Sequence, residues 1–367
     1  MDVVRLTKDL VNIPSETERD GEKKVAEHVS RLLAELGIES ETTEFAPGRA
    51  NVVASIGKGE GLMLNGHLDT VPLGSASEWR YGVKAAEKGG RIYGRGTSDM
   101  KGGVACIISA LSAANLRNPK RRILLTFVAG EEKELEGSSY LLSKRKGLFR
   151  KVRYGVVAEA TDMGIQTAQK GYTDMTVVFR GRAAHASKPW QGDSAILKAS
   201  RFIGEYTKLM AGPRRRDPVL GESTANIGRI SGGTAVNVVP DYCEVQVDRR
   251  IIPGETPSVA VAQARKLLKK LNIGATVRLN AGRGAFRLSE SSGVIRLVSD
   301  ATGAARLLSG PTGYTEVELY KAKAGIDSVV FGPGNREVIH QSNEYIKTEN
   351  LLRYTTMIGN VISKWLG

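Results

Sequence analysis

Histidine and carboxylate side chains recur in this sequence within a few residues after short apolar stretches or glycine-rich turns. The group comprises His67, Asp69, Asp99, Glu131, Glu132, Glu159 and His340. If the apolar stretches are parallel strands, their carboxyl ends meet at one edge of a sheet, where α/β proteins bind ligands. So many carboxylates gathered at one edge would repel one another unless cations compensated their charge.

Two imidazoles among several carboxylates indicate a two-metal hydrolytic centre rather than a structural zinc site. A structural zinc ion favours four Cys or His ligands at short spacings, and this sequence contains no such arrangement. In a two-metal centre a carboxylate bridges the ions, and the shared water becomes acidic. Asp69, two residues after His67, is placed to accept the imidazole's other N–H. One residue of the pair Glu131 and Glu132 can be a ligand while its neighbour is the general base.

Each of these signals alone has a simpler structural explanation. A single His-x-Asp pair is more often structural, adjacent glutamates are usually surface charge, and an Asp after a glycine-rich turn is commonly a helix cap. The joint occurrence of these residues at successive strand ends favours the catalytic interpretation.

The elements that must position these residues alternate between strand and helix. Apolar runs predict strands at residues 51–56, 62–66, 123–128 and 154–158, and helical periodicity is found at 2–12, 21–36 and about 100–116. This alternation predicts an α/β fold with a covered, mostly parallel sheet. A stretch with strand, helix, strand, strand, helix, strand order follows, which is typical of an inserted ferredoxin-like α+β domain. We therefore predict a catalytic domain from 1–169 and 284–367 with an insertion at 170–283.

Composition excludes several classes of protein. The chain has 367 residues, 41% of them hydrophobic, and a formal net charge of +14. No apolar run approaches the length of a membrane helix, and the first residues do not resemble a signal peptide, so we expect a cytoplasmic protein with no membrane partner. Basic residues cluster at 117–122, 144–153 and 214–216 without interleaved aromatic residues, which argues against nucleic-acid binding. The charge suits acidic substrates or an acidic carrier protein.

The chain resembles the acetylornithine deacetylase, succinyl-diaminopimelate desuccinylase and glutamate carboxypeptidase family of di-zinc hydrolases. The matching motifs are Asn65–Pro72, Gly94–Gly103, Gly130–Glu132, Glu159, Gly181–Ser187 and His340–Tyr345. The resemblance implies that His67, Asp99 and Glu159 hold one metal and that Asp99, Glu132 and His340 hold the other. It also implies that Asp69 orients His67, that Glu131 is the general base, and that the peptide after Asp99 is cis.

For the inserted domain the resemblance implies a lid and a homodimer interface. His185 is similar to a histidine that reaches the partner subunit's site and stabilises the oxyanion. Asn237 and Arg250 match positions that hold the substrate carboxylate.

The expected function is metal-dependent removal of an N-acyl group from an amino acid such as ornithine, lysine or diaminopimelate, in arginine or lysine biosynthesis. The expected cofactors are two divalent ions, zinc or else cobalt. Alternatives are a dipeptidase or aminoacylase of the same family and a non-catalytic binding protein on the same fold.

Overall fold

The computed structural model describes residues 1–19, 21–212, 215–303, 307–308 and 313–367. Arg214, in the third basic cluster, lies outside these ranges. The chain divides into two compact units. The first comprises Met1–Thr167, Leu288–Leu308 and Thr315–Gly367, and the second comprises Ala168–Arg287 with the described part of Ser309–Tyr314. The second unit therefore starts and ends within a few residues of the predicted insertion, but residues 313–314 group with it rather than with the catalytic domain.

In the first part of the chain, helices and strands alternate over the stretch from Lys101 to Val157. The helices and strands of this first part are α1 (Val3–Val11), α2 (Lys23–Glu35), β1 (Ser40–Ala46), β2 (Arg49–Ile56), β3 (Gly61–His67), β4 (Ala86–Lys88), β5 (Arg91–Tyr93), α3 (Lys101–Ala113), β6 (Arg122–Val128), α4 (Glu136–Lys144), β7 (Val152–Val157) and β8 (Ile165–Gln166).

The remaining helices and strands belong to the second unit and to the part of the first unit that follows it in the chain. The second unit has β9 (Ala168–Gln169), β10 (Gly171–Arg180), α5 (Ala195–Ala211), β11 (Arg216–Asp217), β12 (Gly221–Glu222), β13 (Thr224–Gly232), β14 (Tyr242–Ile251), α6 (Pro257–Lys270), β15 (Ala275–Arg283) and β16 (Phe286–Arg287). The first unit resumes with α7 (Gly293–Thr302), β17 (Leu307–Leu308), α8 (Val317–Ala324), β18 (Asp327–Val330), β19 (Tyr345–Lys347) and α9 (Thr348–Leu366).

A mixed eight-stranded sheet with the order β1-β2-β6-β3-β7-β18-β8-β17 forms the centre of the first unit. The neighbours β6, β3, β7 and β18 are parallel to one another. Every residue of β3 is buried. Because successive strand residues point to opposite faces, this burial means that both faces are covered. The prediction of a mostly parallel, covered central sheet is confirmed.

The second unit contains a four-stranded antiparallel sheet with the order β13-β14-β10-β15. Alternate residues of its central strands, such as Val177 and Val245, are fully buried against Phe202 of α5 and Leu268 of α6. The two helices and four strands occur in the chain order βαββαβ. One face of the sheet therefore carries the core of this unit.

Several strands were not expected from the sequence, and β5 and β1 are two examples. Arg91–Tyr93 forms β5 immediately before the glycine-rich motif Gly94–Gly103, and it pairs with β19 and β4. Ser40–Ala46 forms β1 at the edge of the central sheet, where partial burial leaves no alternating apolar pattern to detect. In the described part of the chain, no helix is both long and apolar enough to cross a membrane.

Candidate metal centre

The predicted ligands lie where the central parallel strands end. His67 is the last residue of β3 and lies opposite Val128, the last residue of β6. Val157, at the end of the next strand β7, precedes Glu159 by two residues. Parallel pairing in this register places the segments after all three strands at one edge. The fold thus brings together side chains that are far apart in the sequence.

Asp99 lies between the two predicted histidine ligands. Its Oδ1 is 2.9 Å from His67 Nε2, and its Oδ2 is 3.0 Å from His340 Nε2. Glu159 Oε1 is 3.4 Å from the same nitrogen of His67. Glu132 Oε1 is 3.3 Å from the same nitrogen of His340. One carboxylate therefore faces two imidazoles, and each imidazole has a further carboxylate of its own.

Two overlapping groups of donor atoms result. His67, Asp99 and Glu159 form one, and Asp99, Glu132 and His340 form the other; within each group the ligand atoms lie within 4.8 Å of one another. Asp99 belongs to both, as a bridging ligand must. Glu132 Oε1 is buried and makes no well-formed hydrogen bond, despite its proximity to His340. Nitrogen and oxygen donors in this arrangement fit two divalent ions.

The ionisation of the cluster reflects a shortage of positive charge. Burial, and then the charge of Asp99, raise the pKa of Glu159 to about 8. The interaction with Asp99, and then that with the nearby carboxylate of Glu132, raise the pKa of His340 to about 10. Burial would raise the pKa of Asp99, but its bonds to the two imidazoles outweigh burial and lower it. Without another cation, the site therefore takes up protons to balance its carboxylates.

Asp69 has contacts that differ from the predicted ones. His67 Nδ1 is 3.0 Å from the main-chain oxygen of Asp69, whereas the Asp69 carboxylate oxygen is 3.6 Å away. The carboxylate accepts hydrogen bonds from the backbone N–H groups of Glu131, at 3.1 Å, and Glu132, at 3.2 Å. Thr17 Oγ1 donates a third, at 2.8 Å. The imidazole is therefore held mainly by the Asp69 backbone, and the side chain holds the two glutamates.

Glu131 lies in the middle of a carboxylate-rich environment. A ligand atom of Glu131 lies within 4.8 Å of those of Glu159 and Glu316. Burial, together with the charges of Glu159, Glu316 and Glu132, raises the pKa of Glu131 well above its usual value. A group that binds a proton readily suits a general base.

Glu316 and Glu344 are two buried carboxyl residues that the sequence analysis missed as members of this region. Glu316 lies at the start of α8, and Glu344 accepts hydrogen bonds from the backbone around Asp99. Both follow segments without a distinctive apolar run, so periodicity gave no signal. The Asp99–Met100 peptide is cis, as the resemblance implied.

His185 and Asn237 lie near each other in the second unit. The N–H of Ala186 donates to the Asn237 main-chain oxygen at 3.0 Å, and His185 forms a β-bridge with Val238. The His185 side chain is exposed. The backbone N–H of Ser187 donates to His185 Nδ1 at 3.1 Å, so a neutral imidazole carries its proton on Nε2.

Arg250 lies at the opposite end of β14 from Asn237. It pairs with Tyr172 of β10, whereas Tyr242, at the start of β14, pairs with Arg180. Eight residues of extended strand separate the two ends by about 27 Å. Arg250 Nε donates to Asp248 Oδ1 at 2.8 Å. Within one chain, therefore, the structure does not bring Arg250 together with His185 and Asn237.

Comparison with known proteins agrees with this arrangement. The chain is 31% identical to an acetylornithine deacetylase from Myxococcus xanthus over 362 residues, covering 93% of this chain and 92% of the relative. It is 28% identical to a probable succinyl-diaminopimelate desuccinylase from Staphylococcus aureus, covering 96% and 94%.

Solved structures agree as well. The aminopeptidase PepT from Bacillus cereus superposes with a TM-score of 0.82 at 25% identity, covering 100% of this chain and 98% of that one. A dinuclear metal-binding M20 peptidase from Bacillus subtilis shares the fold, with a TM-score of 0.74 at 16% identity and coverages of 99% and 97%. The family model for Peptidase family M20/M25/M40 matches residues 63–364. The predicted resemblance is thus confirmed, and the chain belongs to this family of hydrolases.

Proposed function

We propose that this protein is a two-metal amidohydrolase that removes an N-acyl group, such as acetyl or succinyl, from an amino acid. Ornithine, lysine and diaminopimelate are the candidate amino acids, because relatives over nearly the whole chain are named for acetylornithine and succinyl-diaminopimelate. The observation that carries the proposal is the position of Asp99 between His67 and His340. The metals are zinc or cobalt, which both accept nitrogen and oxygen donors.

The residues of the cluster have separate roles in hydrolysis. His67, Asp99 and Glu159 would hold one ion, and Asp99, Glu132 and His340 the other. Bound there, the ions would supply an acidified water and a polarised amide carbonyl. Glu131 takes the proton from the attacking water and later gives it to the leaving nitrogen.

His185 contributes a hydrogen bond to the developing oxyanion in this proposal. The N–H of Ser187 occupies Nδ1, which leaves the Nε2–H as the donor. Donors directed at a developing negative charge are strongly stabilising in a site that excludes water. Since His185 and Asn237 lie at one end of the second unit and Arg250 at the other, one small substrate cannot touch all three within one chain. A homodimer in which the partner supplies His185 and Asn237 would remove this conflict.

The second unit has a surface that suits such a dimer. Strand β13 is an edge strand that pairs only with β14 in the described residues. Ile230 on this strand and Val236 just after it are exposed, as are Trp190 and Leu197 elsewhere in the same unit. An unpaired strand edge beside exposed apolar side chains favours isologous pairing with a second copy.

A dipeptidase or other peptidase activity is the second candidate. It is favoured by the likeness to PepT along the whole chain. The chemistry at the cluster is the same for both candidates, since each hydrolyses an amide bond. The two differ in the groups that flank this bond, so a substrate panel separates them.

Metal content and a substrate panel test the proposal together. Metal is measured by elemental analysis, and hydrolysis of N-acetylornithine, N-acetyl-lysine, N-succinyl-diaminopimelate and several dipeptides is measured before and after chelation. The proposal predicts two metals per chain and chelator-sensitive hydrolysis of one N-acyl substrate. Two metals with hydrolysis of dipeptides alone would favour a peptidase. Two metals without turnover would direct the search to carrier-bound substrates, and a protein that binds no metal would favour the binding-protein alternative.

A further inference from the structure

Glu344 is a fully buried carboxyl residue four positions after His340. Its Oε1 accepts hydrogen bonds from the backbone N–H groups of Ser98, at 2.8 Å, and Asp99, at 3.1 Å. We propose that Glu344 is a positioning residue of the two-metal centre, which fixes the bridging Asp99 relative to the loop that carries His340. This inference rests on the proposed function, because it assigns Asp99 and His340 as metal ligands.

Arg95 holds Glu344 from its other side. Arg95 Nη1 donates to Glu344 Oε2 at 2.9 Å and to the main-chain oxygen of Gln341 at 3.0 Å. Its Nη2 donates to the main-chain oxygen of Pro72 at 3.1 Å. A planar guanidinium holds several acceptors in fixed directions. The pair of Arg95 and Glu344 therefore links three segments: the one after Asp69, the one that carries Asp99 and the one that carries His340.

Asp99 and His340 need such external support more than His67 does. His67 ends a buried strand and is itself fully buried. His340 lies outside helices and strands, its side chain is 51% exposed, and its φ is +59°. Both oxygens of Asp99 face imidazoles, so its position depends on its backbone. Because both metals share Asp99, a shift of its backbone would weaken both sites.

The second unit contains a buried carboxylate, Asp217, with the same kinds of hydrogen-bond partners as Glu344. Neither Asp217 nor its partners are predicted metal ligands. Asp217 Oδ1 accepts the backbone N–H groups of Val219 and Leu220, each at 2.9 Å. Its Oδ2 accepts a hydrogen bond from Arg287 Nη1 at 3.0 Å, and Asp217 is buried. The donor pattern is the same as at Glu344: two amides on one oxygen and an arginine on the other. This pair therefore controls for the general cost of disrupting a buried carboxylate.

The experiment compares Glu344→Gln with Asp217→Asn and the wild-type full-length protein. Each substitution keeps the side-chain size but replaces one accepting oxygen with an NH₂ group. Metal-free proteins are titrated with cobalt(II), which is followed by visible absorption and calorimetry, and unfolding is followed by circular dichroism. We expect Glu344→Gln to weaken cobalt binding by about 10- to 100-fold, the usual effect of losing a group that orients metal ligands. Asp217→Asn should bind cobalt as the wild type does, although both variants unfold at lower temperature.

The possible results separate this inference from the proposed function. Unchanged cobalt affinity in Glu344→Gln, or equal weakening in both variants, would overturn the positioning role. A wild-type protein that binds two cobalt ions but hydrolyses neither free nor carrier-bound N-acyl amino acids would overturn the proposed function alone. A wild-type protein that binds no cobalt would overturn both. If Glu344→Gln does not fold, Arg95→Lys replaces it in the experiment. Lysine keeps the positive charge but loses the second nitrogen donor, so Arg95→Lys should bind cobalt more weakly than Asp217→Asn does. Cobalt affinity equal to that of the wild type in Arg95→Lys would count against the inference.

Discussion

The carboxylate of Asp69 holds the backbone of Glu131, with 3.1 Å between Oδ1 and the Glu131 nitrogen. Its Oδ2 holds the next amide, that of Glu132, at 3.2 Å. Gly130, with a φ of +67°, turns the chain immediately before this pair. One buried side chain therefore fixes the backbone positions of Glu131, the proposed base, and Glu132, the adjacent proposed ligand. Asp69 acts on these two residues in addition to its contact with His67.

Asp69→Asn should consequently impair both metal binding and turnover. The amide NH₂ cannot accept a hydrogen bond, so either Glu131 or Glu132 loses its backbone partner. We expect metal affinity and kcat each to fall about 10- to 100-fold. Calorimetric metal titration and steady-state kinetics measure the two effects.

Thr17→Val is the matched control for that variant. It removes only the hydroxyl that donates to Asp69 Oδ2 and leaves both backbone bonds in place. Its effect should be much smaller than that of Asp69→Asn. Equal effects would indicate that metal affinity and kcat depend on the general environment of Asp69 and not on its hydrogen bonds to the two backbone amides.

Glu131→Gln should separate metal binding from chemistry. Glutamine keeps the size of the side chain but cannot accept and return a proton. We expect both metals to stay bound while kcat falls by at least about 100-fold, the lower range of general acid–base effects. Elemental analysis and kinetics on the same preparation test this. Glu132→Gln provides the contrast, because it should reduce metal content, and full activity in Glu131→Gln would refute the proposed base.

Loading of metal onto the metal-free protein should release protons at pH 7. The pKa of His340 is raised to about 10 and that of Glu159 to about 8, so both groups are protonated at this pH without metal. Metal binding needs neutral imidazole and ionised carboxylate, so the protons must leave. Metal affinity should therefore rise with pH, and this rise should end above a pH of about 10.

Calorimetry in two buffers of different ionisation enthalpy counts the released protons. The apparent binding enthalpy should differ between the buffers in proportion to that count. His340→Ala should release fewer protons than the wild type. Identical enthalpies in both buffers would show that the metal-free cluster is already deprotonated.

The positions of His67, Glu131 and Glu159 were predictable because each residue follows a strong local signal. The apolar runs before His67, Glu131 and Glu159 predict buried strands, and the parallel order places the ends of those strands together. Residues such as Glu344 and Glu316 carry no comparable signal. Their importance depends on contacts with atoms more than 150 positions away, as between Glu344 and Asp99. Such pairings are fixed by tertiary packing and not by local periodicity.

The contact made by the Asp69 side chain illustrates the same limit. The spacing of His67 and Asp69 correctly placed the two residues side by side. It could not indicate that the Asp69 main-chain oxygen would contact the imidazole while the Asp69 carboxylate accepts a hydrogen bond from the Glu131 amide. That choice depends on the turn after β6, which lies some sixty positions further along the chain.

The proposed contribution of His185 from a partner subunit can be tested by mixing two inactive variants. His185→Ala keeps the cluster but lacks the oxyanion donor, and Glu131→Gln keeps His185 but lacks the base. In a mixed dimer, a His185→Ala chain would receive His185 from its Glu131→Gln partner, so one complete site forms. With random exchange of subunits in a two-fold dimer, we expect about a quarter of wild-type activity to return.

The exposed strand edge supplies the control for this complementation. Ile230→Lys places a charge on the exposed surface of β13 and should shift the protein toward monomers, as measured by light scattering. When both variants carry Ile230→Lys, mixing should restore no activity. Failure of mixing in the absence of that substitution, although subunits exchange, would mean that His185 acts within its own chain or not at all. Because Arg250 lies at the far end of β14, action within one chain would in turn exclude Arg250 from binding the same small substrate.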